Sequence, residues 1–135
     1  MRTVLAIDPG RGKCGAAVVS EGNILHLSVE PRDCVSETAG ILCTEHNVDL
    51  IIIGNGTGGN ALAGELKPLV SVPIELVDEY LTSQRARKRF FQENPPRGLM
   101  RLVPRGLLTP PRAYDDYVAL ILAEDYFKSN IQHRI

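Results

Sequence analysis

Acidic residues occur at three places where an apolar run ends or a helix is expected to begin. They are Asp8 after the first apolar run, Asp78 and Glu79 after the last predicted strand, and Asp115 and Asp116 at the start of the last predicted helix. Hard oxygen ligands without an accompanying Cys or His favour Mg²⁺ or Mn²⁺ over Zn²⁺. Two such ions roughly 3.5–4 Å apart activate a water and stabilise the leaving oxygen of a phosphodiester. The acids therefore predict a divalent-metal site with hydrolytic chemistry.

Asp115 has an unusual position on its predicted helix. It shares the spacing i, i+3, i+4, i+7 with the apolar residues Val118, Ala119 and Leu122. This spacing predicts that Asp115 lies on the stripe that faces the sheet, where an unpaired carboxylate costs free energy. A cation shared with the other acidic groups would compensate that cost.

Each acidic group also has an ordinary structural explanation. Asp8 precedes a Pro-Gly pair and could open a turn, and acids in a first helical turn complement the helix macrodipole without any metal. The acids after the last strand could be ordinary loop residues. Taken singly, these explanations are the simpler ones, but three acidic groups at converging ends of a sheet together favour a metal site.

The formal net charge of −1 conceals a strong segregation of charge along the chain. Residues 85–112, here called the basic segment, carry eight basic side chains and one acid, a net charge of +7, whereas the remainder carries −8. Seven of the eight basic residues are arginines, whose planar guanidinium suits phosphate. We expect the basic segment to bind a polyanion, and a solvated helix face is the alternative.

Strands and helices must position these side chains. Apolar runs bounded by Gly and Pro predict five strands, and apolar residues at helical spacing predict four helices. Thr82 or Ser83 is expected to cap the third helix, and Thr109 followed by Pro110 begins the fourth. The predicted strands are 3–8, 15–20, 24–29, 49–54 and 73–77, and the helices extend over about 33–47, 59–70, 82–93 and 110–128, with a loop over 94–111.

This order of elements predicts an α/β fold. Three antiparallel strands followed by alternating helices and strands indicate a mixed five-stranded sheet, three antiparallel strands then two parallel ones, with helices on both faces. If the first, fourth and fifth strands are parallel, Asp8 and the pair Asp78-Glu79 leave the sheet at the same carboxyl edge, where α/β proteins usually place their sites.

Length and composition are typical of one globular domain over residues 1–135. Hydrophobic residues make up 44% of the chain and charged residues 23%. No apolar run approaches the roughly 18 residues of a membrane span, and the N-terminus does not resemble a signal peptide. Cys14, Cys34 and Cys43 form no close pair that would indicate disulfides or zinc. We therefore expect a cytoplasmic protein without membrane association.

Four segments of the chain resemble one known family. They are Leu5-Ala6-Ile7-Asp8-Pro9-Gly10 with Gly15, Ile51-Ile52-Ile53-Gly54, Val77-Asp78-Glu79-Tyr80-Leu81-Thr82-Ser83, and Tyr114-Asp115-Asp116-Tyr117-Val118-Ala119. In this order they resemble the YqgF/RuvX family of the RNase H-like nuclease superfamily. The resemblance implies a five-stranded RNase H-like fold, and it assigns metal binding and catalysis to Asp8, Glu79 and Asp115, with Asp116 as the alternative to Asp115.

The sequence departs from the family pattern at two places. Tyr80 stands where family members usually have an Arg, which removes one phosphate-facing charge. The fourth strand runs into Gly54-Asn55-Gly56-Thr57-Gly58-Gly59 instead of Gly-Leu-Pro, a variant similar to the YqgF-like domain of the transcription accessory protein Tex. Backbone N–H groups of this loop could hold a phosphate, or the loop could simply connect strand and helix. All three acids are present, which favours activity.

These observations predict a Mg²⁺- or Mn²⁺-dependent endonuclease that hydrolyses phosphodiesters in structured nucleic acid. The resemblance offers Holliday junction DNA and ribosomal RNA precursors as substrates, and a homodimer would favour the junction because resolution needs two active sites. The alternative is a non-catalytic nucleic-acid-binding module, as in Tex-type domains. The expected nucleic-acid-binding residues are Lys13, Arg85, Lys88, Arg89, Arg97, Arg101 and Arg105.

Overall fold

The computed structural model describes residues 2–56, 58–78, 82–95 and 115–133 of the chain. Strands and helices follow one another in the predicted order. They are β1 (Thr3–Asp8), β2 (Lys13–Ser20), β3 (Asn23–Pro31), α1 (Val35–His46), β4 (Leu50–Gly54), α2 (Gly59–Leu66), β5 (Ile74–Val77), α3 (Thr82–Glu93) and α4 (Asp115–His133).

The five strands form one mixed sheet in the order β3-β2-β1-β4-β5. Strands β1, β2 and β3 pair antiparallel, whereas β4 is parallel to β1 and β5 is parallel to β4. The predicted fold class is therefore confirmed. The fourth strand is buried at all five positions, as expected of a parallel strand covered on both faces.

Two hydrophobic cores lie on opposite faces of the sheet, because successive side chains of a strand point to opposite sides. In β1, Val4 and Ala6 pack in the core with α3 and α4, whereas Leu5 and Ile7 pack with α1 and α2. Phe90 of α3 is 2% exposed, and its ring meets neighbouring aromatic rings edge to face. Helices thus cover both faces, as the sequence predicts.

Two helices end at positions different from the predicted ones. Helix α2 ends at Leu66, not near residue 70, because Pro68 has no backbone N–H to continue the helical hydrogen bonds. Helix α4 continues to His133, beyond the predicted end near residue 128. No Gly or Pro follows Lys128, so the sequence contains no stop signal there. The predicted start of this last helix, Thr109 with Pro110, lies outside the described residues.

Strand β3 is an edge strand with an irregular register. Its pairing with β2 shifts between Val18 and Val19, so Leu25 is an extra residue opposite that step. A bulge of this kind twists the strand locally. Ile24 and Leu25 are correspondingly exposed. Of the helices in the described parts of the chain, none combines the length and the apolar character that a membrane span needs.

Candidate active site

The carboxyl ends of the three parallel strands lie at one edge of the sheet. Ile7 of β1 is in register with Ile53 of β4, and Gly54 is in register with Val77, the last residue of β5. Asp8 therefore ends β1 close to the level at which Asp78 follows β5. Two inter-strand steps of about 4.8 Å separate the backbones of β1 and β5 by about 10 Å. Glu79, the residue selected from the sequence, lies outside the described residues.

Asp8 belongs to the face of the sheet that α4 covers. Ala6 packs in the core under α4 and Ile7 in the core on the opposite face, so the alternation along β1 returns Asp8 to the α4 face. Asp8 is half-buried. Asp8 is thus a carboxylate at the end of a buried strand, on the side from which the last helix approaches.

Gly15 fixes where α4 begins. It pairs directly with Asp8 across the β1–β2 ladder. The first turn of α4 lies so close to Gly15 that a Cβ at this position would overlap the carbonyl oxygen of Asp115 and stand 2.8 Å from the backbone nitrogen of Asp116. Paired residues of an antiparallel ladder have Cα atoms about 4.5–5.5 Å apart. The start of α4 therefore lies over the residue next to Asp8.

The two acids of α4 have different environments. The side chain of Asp115 is 31% exposed, and its Oδ2 lies 4.0 Å from Nζ of Lys13. Asp116 is buried, with only 6% exposure, and its Oδ1 accepts a hydrogen bond from the backbone N–H of Tyr117 at 3.0 Å. The sequence pattern selects Asp115 as the acid facing the sheet, but Asp116 is the more buried one, because α4 is buried on every side from Asp116 to Ala123.

The pKa of the Cys14 thiol is influenced by both acidic positions. Cys14 is fully buried in the core under α1 and α2. Burial raises the pKa of this thiol, a backbone hydrogen bond from Gly10 and the positive charge of Arg32 lower it, and the carboxylates of Asp8 and Asp115 raise it slightly further.

The described acids can supply only part of a metal site. Asp8 and Asp115 offer hard oxygen donors, the ligand type that suits Mg²⁺ and Mn²⁺. Within residues 2–56, 58–78, 82–95 and 115–133, no group of three His, Cys, Asp or Glu side chains is arranged to hold a metal ion. A third carboxylate from outside these ranges, Glu79, would complete the set that the sequence predicts. The assignment of metal ligands stays a prediction.

Two described arginines of the basic segment, Arg85 and Arg89, form ion pairs with α4. Arg85 forms a bidentate pair with Asp125, at 2.8 and 2.6 Å, and this hydrogen bonding raises the pKa of its guanidinium. Nη1 of Arg89 lies 2.8 Å from Oε1 of Glu124, and Nε of Arg89 lies 3.3 Å from Oε1 of Glu93. The role of these two arginines in nucleic-acid binding stays a prediction, and such a role requires exchange of an existing partner.

The other residues predicted to contact nucleic acid lie at several different places in the chain. Lys88 is exposed on α3, and Lys13 lies at the start of β2 beside Asp115. Arg97, Arg101 and Arg105 lie outside the described residues. Sequence reasoning missed Glu124 and Asp125 as partners of α3. Two arginines spaced i, i+4 on one helix and two adjacent acids on another were the available signal, but helix packing decides whether they meet.

The comparisons with known proteins give structural neighbours only. No protein-family model matches the chain. No curated protein matches it either. A structure of RuvC from Thermus thermophilus superposes with a TM-score of 0.56 at 14% identity, covering 95% of this chain and 96% of RuvC. A second RuvC structure from T. thermophilus, in complex with a Holliday junction substrate, gives 0.54 at 16% identity, with 89% and 88% covered. The fold is RNase H-like.

A viral nuclease domain shares part of this fold. The nuclease domain of the large terminase subunit gp2 of bacterial virus Sf6, in a structure with manganese, gives a TM-score of 0.51 at 16% identity. The match covers 58% of this chain and 38% of the terminase domain, so this chain spans little more than a third of that domain's length. At these identities the likeness is one of fold.

Proposed function

We propose that this protein is a divalent-metal-dependent endonuclease that hydrolyses phosphodiesters in structured nucleic acid. The carboxylates of Asp8, Glu79 and Asp115 hold the metal, and Asp116 is the alternative to Asp115. A bound Mg²⁺ or Mn²⁺ would activate the attacking water and neutralise charge that develops on the phosphate. The proposal treats residues 1–135 as one nuclease domain.

The observation that carries this proposal is the close approach at Gly15. It places the first turn of α4 over the strand residue paired with Asp8, so residues from distant parts of the sequence that carry acids lie at the same end of the sheet. The RNase H-like fold and its nuclease neighbours agree with this function, but they do not determine the substrate.

The chain's own residues have distinct roles in this proposal. Asp8 lies on a buried strand and is held rigidly, which suits a ligand whose position must not change. The first turn of α4 supplies further carboxylates over Gly15. Lys13, with 57% of its side chain exposed, and the exposed Lys88 are available to phosphate oxygens without loss of core packing. Arg97, Arg101 and Arg105 are proposed to follow the phosphate backbone.

A cleavage assay tests the proposal. A labelled four-way DNA junction is the first substrate, since the RuvC neighbour was solved with one, and structured RNA and single-stranded DNA are assayed beside it. Each is incubated with Mn²⁺, Mg²⁺ or EDTA. We expect cleavage that requires the metal and is lost in Asp8→Asn. Asp33→Asn, the same chemical change at an exposed position before α1, is the matched control and should retain cleavage.

The pattern of results identifies the substrate class. Cleavage of the junction by a dimer supports resolution of branched DNA, whereas cleavage of RNA alone supports processing of RNA precursors. Binding without cleavage of any substrate, or cleavage that persists in Asp8→Asn, would reject the nuclease. Binding alone would instead identify a non-catalytic nucleic-acid-binding module.

A further inference from the structure

Lys13 lies beside Asp115, one of the candidate metal ligands. Its Nζ is 4.0 Å from Oδ2 of Asp115, and 57% of its side chain is exposed. Lys13 is two residues before Gly15 on β2, so both belong to the face of the sheet that α4 covers. A positive charge thus stands at the open end of the site, next to a carboxylate that the proposed function assigns to the metal.

The backbone around Lys13 is held in place. A Cβ at Gly10 would overlap the carbonyl oxygen of Lys13, so the turn between β1 and β2 closes tightly on this residue. The backbone N–H of Arg32 donates to the carbonyl oxygen of Gly12 at 3.1 Å, which ties the turn to the residue after β3. The position of the Lys13 backbone is therefore fixed, while its long, exposed side chain can change partners.

We propose that Lys13 exchanges partners at this site: it pairs with Asp115 in the metal-free protein and contacts the substrate phosphate when the metal is bound. This inference rests on the proposed function and deepens it. Lys13 and a divalent cation compete for the same carboxylate, since both are cations attracted to Asp115. Once Asp115 binds the metal, the ammonium of Lys13 is available as a donor to a phosphate oxygen.

The strength of the competition between Lys13 and the metal ion for Asp115 follows from the geometry of the Lys13–Asp115 pair. A partly exposed pair at 4.0 Å is weak, and pairs of this kind correspond to roughly a two- to five-fold change in an equilibrium constant. Removing the charge should therefore tighten Mn²⁺ binding by roughly two- to five-fold. A charge-assisted hydrogen bond to phosphate is stronger, so its loss should weaken substrate binding by roughly tenfold in the metal-bound protein.

The first measurement is Mn²⁺ affinity by calorimetry of the protein without nucleic acid. Lys13→Gln, which retains side-chain length without the charge, should bind Mn²⁺ more tightly than the wild type. Lys13→Arg should resemble the wild type because it keeps the charge. Arg11→Gln, the same charge loss at an exposed position of the same turn, is the matched control and should leave Mn²⁺ affinity unchanged.

The second measurement is the affinity for a labelled four-way DNA junction, in EDTA and in Ca²⁺. Lys13→Gln should weaken binding several-fold more in Ca²⁺ than in EDTA, because only the metal-bound protein frees Lys13 for phosphate. Arg11→Gln should weaken binding equally in both conditions. Thermal melting of each variant should match the wild type, since neither residue packs in the core.

The outcomes separate this inference from the proposed function. Wild-type protein that binds Mn²⁺, together with Lys13→Gln protein that binds it equally or less tightly, overturns the exchange and leaves the nuclease intact. Equal effects of Lys13→Gln on junction binding in EDTA and Ca²⁺ also overturn it. Wild-type protein that binds no Mn²⁺ overturns both. Tighter Mn²⁺ binding together with the metal-dependent loss of junction affinity supports the exchange.

Discussion

Replacement of Gly15 by Ala tests the contact that forms the candidate site. The added methyl group would meet the backbone carbonyl of Asp115, and a backbone atom, unlike the end of a flexible side chain, cannot rotate away. Either α4 moves off the sheet or β2 deforms. Overpacking of this kind costs about 1–3 kcal/mol, and the rigid neighbour places Gly15→Ala at about 2–3 kcal/mol.

This loss of stability lowers the melting temperature by a measurable amount. At about 2.1 cal/mol/K per residue, a chain of 135 residues unfolds with an entropy of about 0.28 kcal/mol/K. The melting temperature of Gly15→Ala should therefore fall by about 7–11 °C in a calorimetric or circular-dichroism melt. Mn²⁺ affinity and cleavage should fall as well, because the displaced start of α4 carries the proposed ligand Asp115 and its alternative Asp116.

The matched control is Gly12→Ala in the neighbouring turn. A Cβ at Gly12 meets no atom within 4 Å, so the same substitution has room there and should leave both the melting temperature and Mn²⁺ binding close to wild type. If Gly15→Ala melts at the wild-type temperature and binds Mn²⁺ normally, α4 is not seated over Gly15, and the reasoning that joins Asp8 to Asp115 fails.

Three further predictions concern other contacts. Arg85→Ala and Asp125→Ala should show a coupling free energy of about 0.5–1 kcal/mol in a double-mutant cycle of denaturant unfolding; additive effects would contradict the ion pair, whose side chains are 39% and 36% exposed. Iodoacetamide should label the exposed Cys34 in the native protein and spare Cys14, because Cys14 is buried and burial raises the pKa of its thiol. Mass spectrometry of the labelled peptides measures both, and equal labelling would refute the burial of Cys14. The hydrogen bond from Arg32 lowers the pKa of Glu65, so its stabilisation is present above about pH 4.3, the unfolded value, and is lost as the pH falls through the native pKa. Glu65→Gln should flatten that acid limb of stability, and an unchanged acid limb would count against the pair.

The fold was predictable because its signals are local. The apolar run of β4 is continuous, so it indicated a central parallel strand before any pairing was known. The order of strands and helices then left few topologies, and the shared carboxyl edge of β1 and β5 followed. The side of the sheet on which Asp8 lies was not predicted, because Val4 to Ile7 are all apolar and do not alternate in the sequence.

The geometry of the candidate site depends on packing between distant segments. The Gly15 contact joins β2 to a helix that begins 100 residues later, and nothing in the local sequence around either segment specifies that distance. Burial on every side of α4 likewise made Asp116, not Asp115, the more buried acid. Periodicity identifies one stripe of a helix, but it does not tell how many neighbours the helix has.

The ion pairs of α3 change what the net charge of the basic segment means. The sequence counts +7 over residues 85–112, but Arg85 and Arg89 face Asp125 and Glu124 on α4. Their positive charges are largely compensated within the protein, so they add less to a field that attracts a polyanion than their number implies. A nucleic acid that follows α3 must either break these pairs or contact other basic side chains of this helix, such as the exposed Lys88. Among the described residues, the attraction should therefore depend more on Lys88 and on Lys13, which lies beside Asp115 at the end of the sheet where the acids lie.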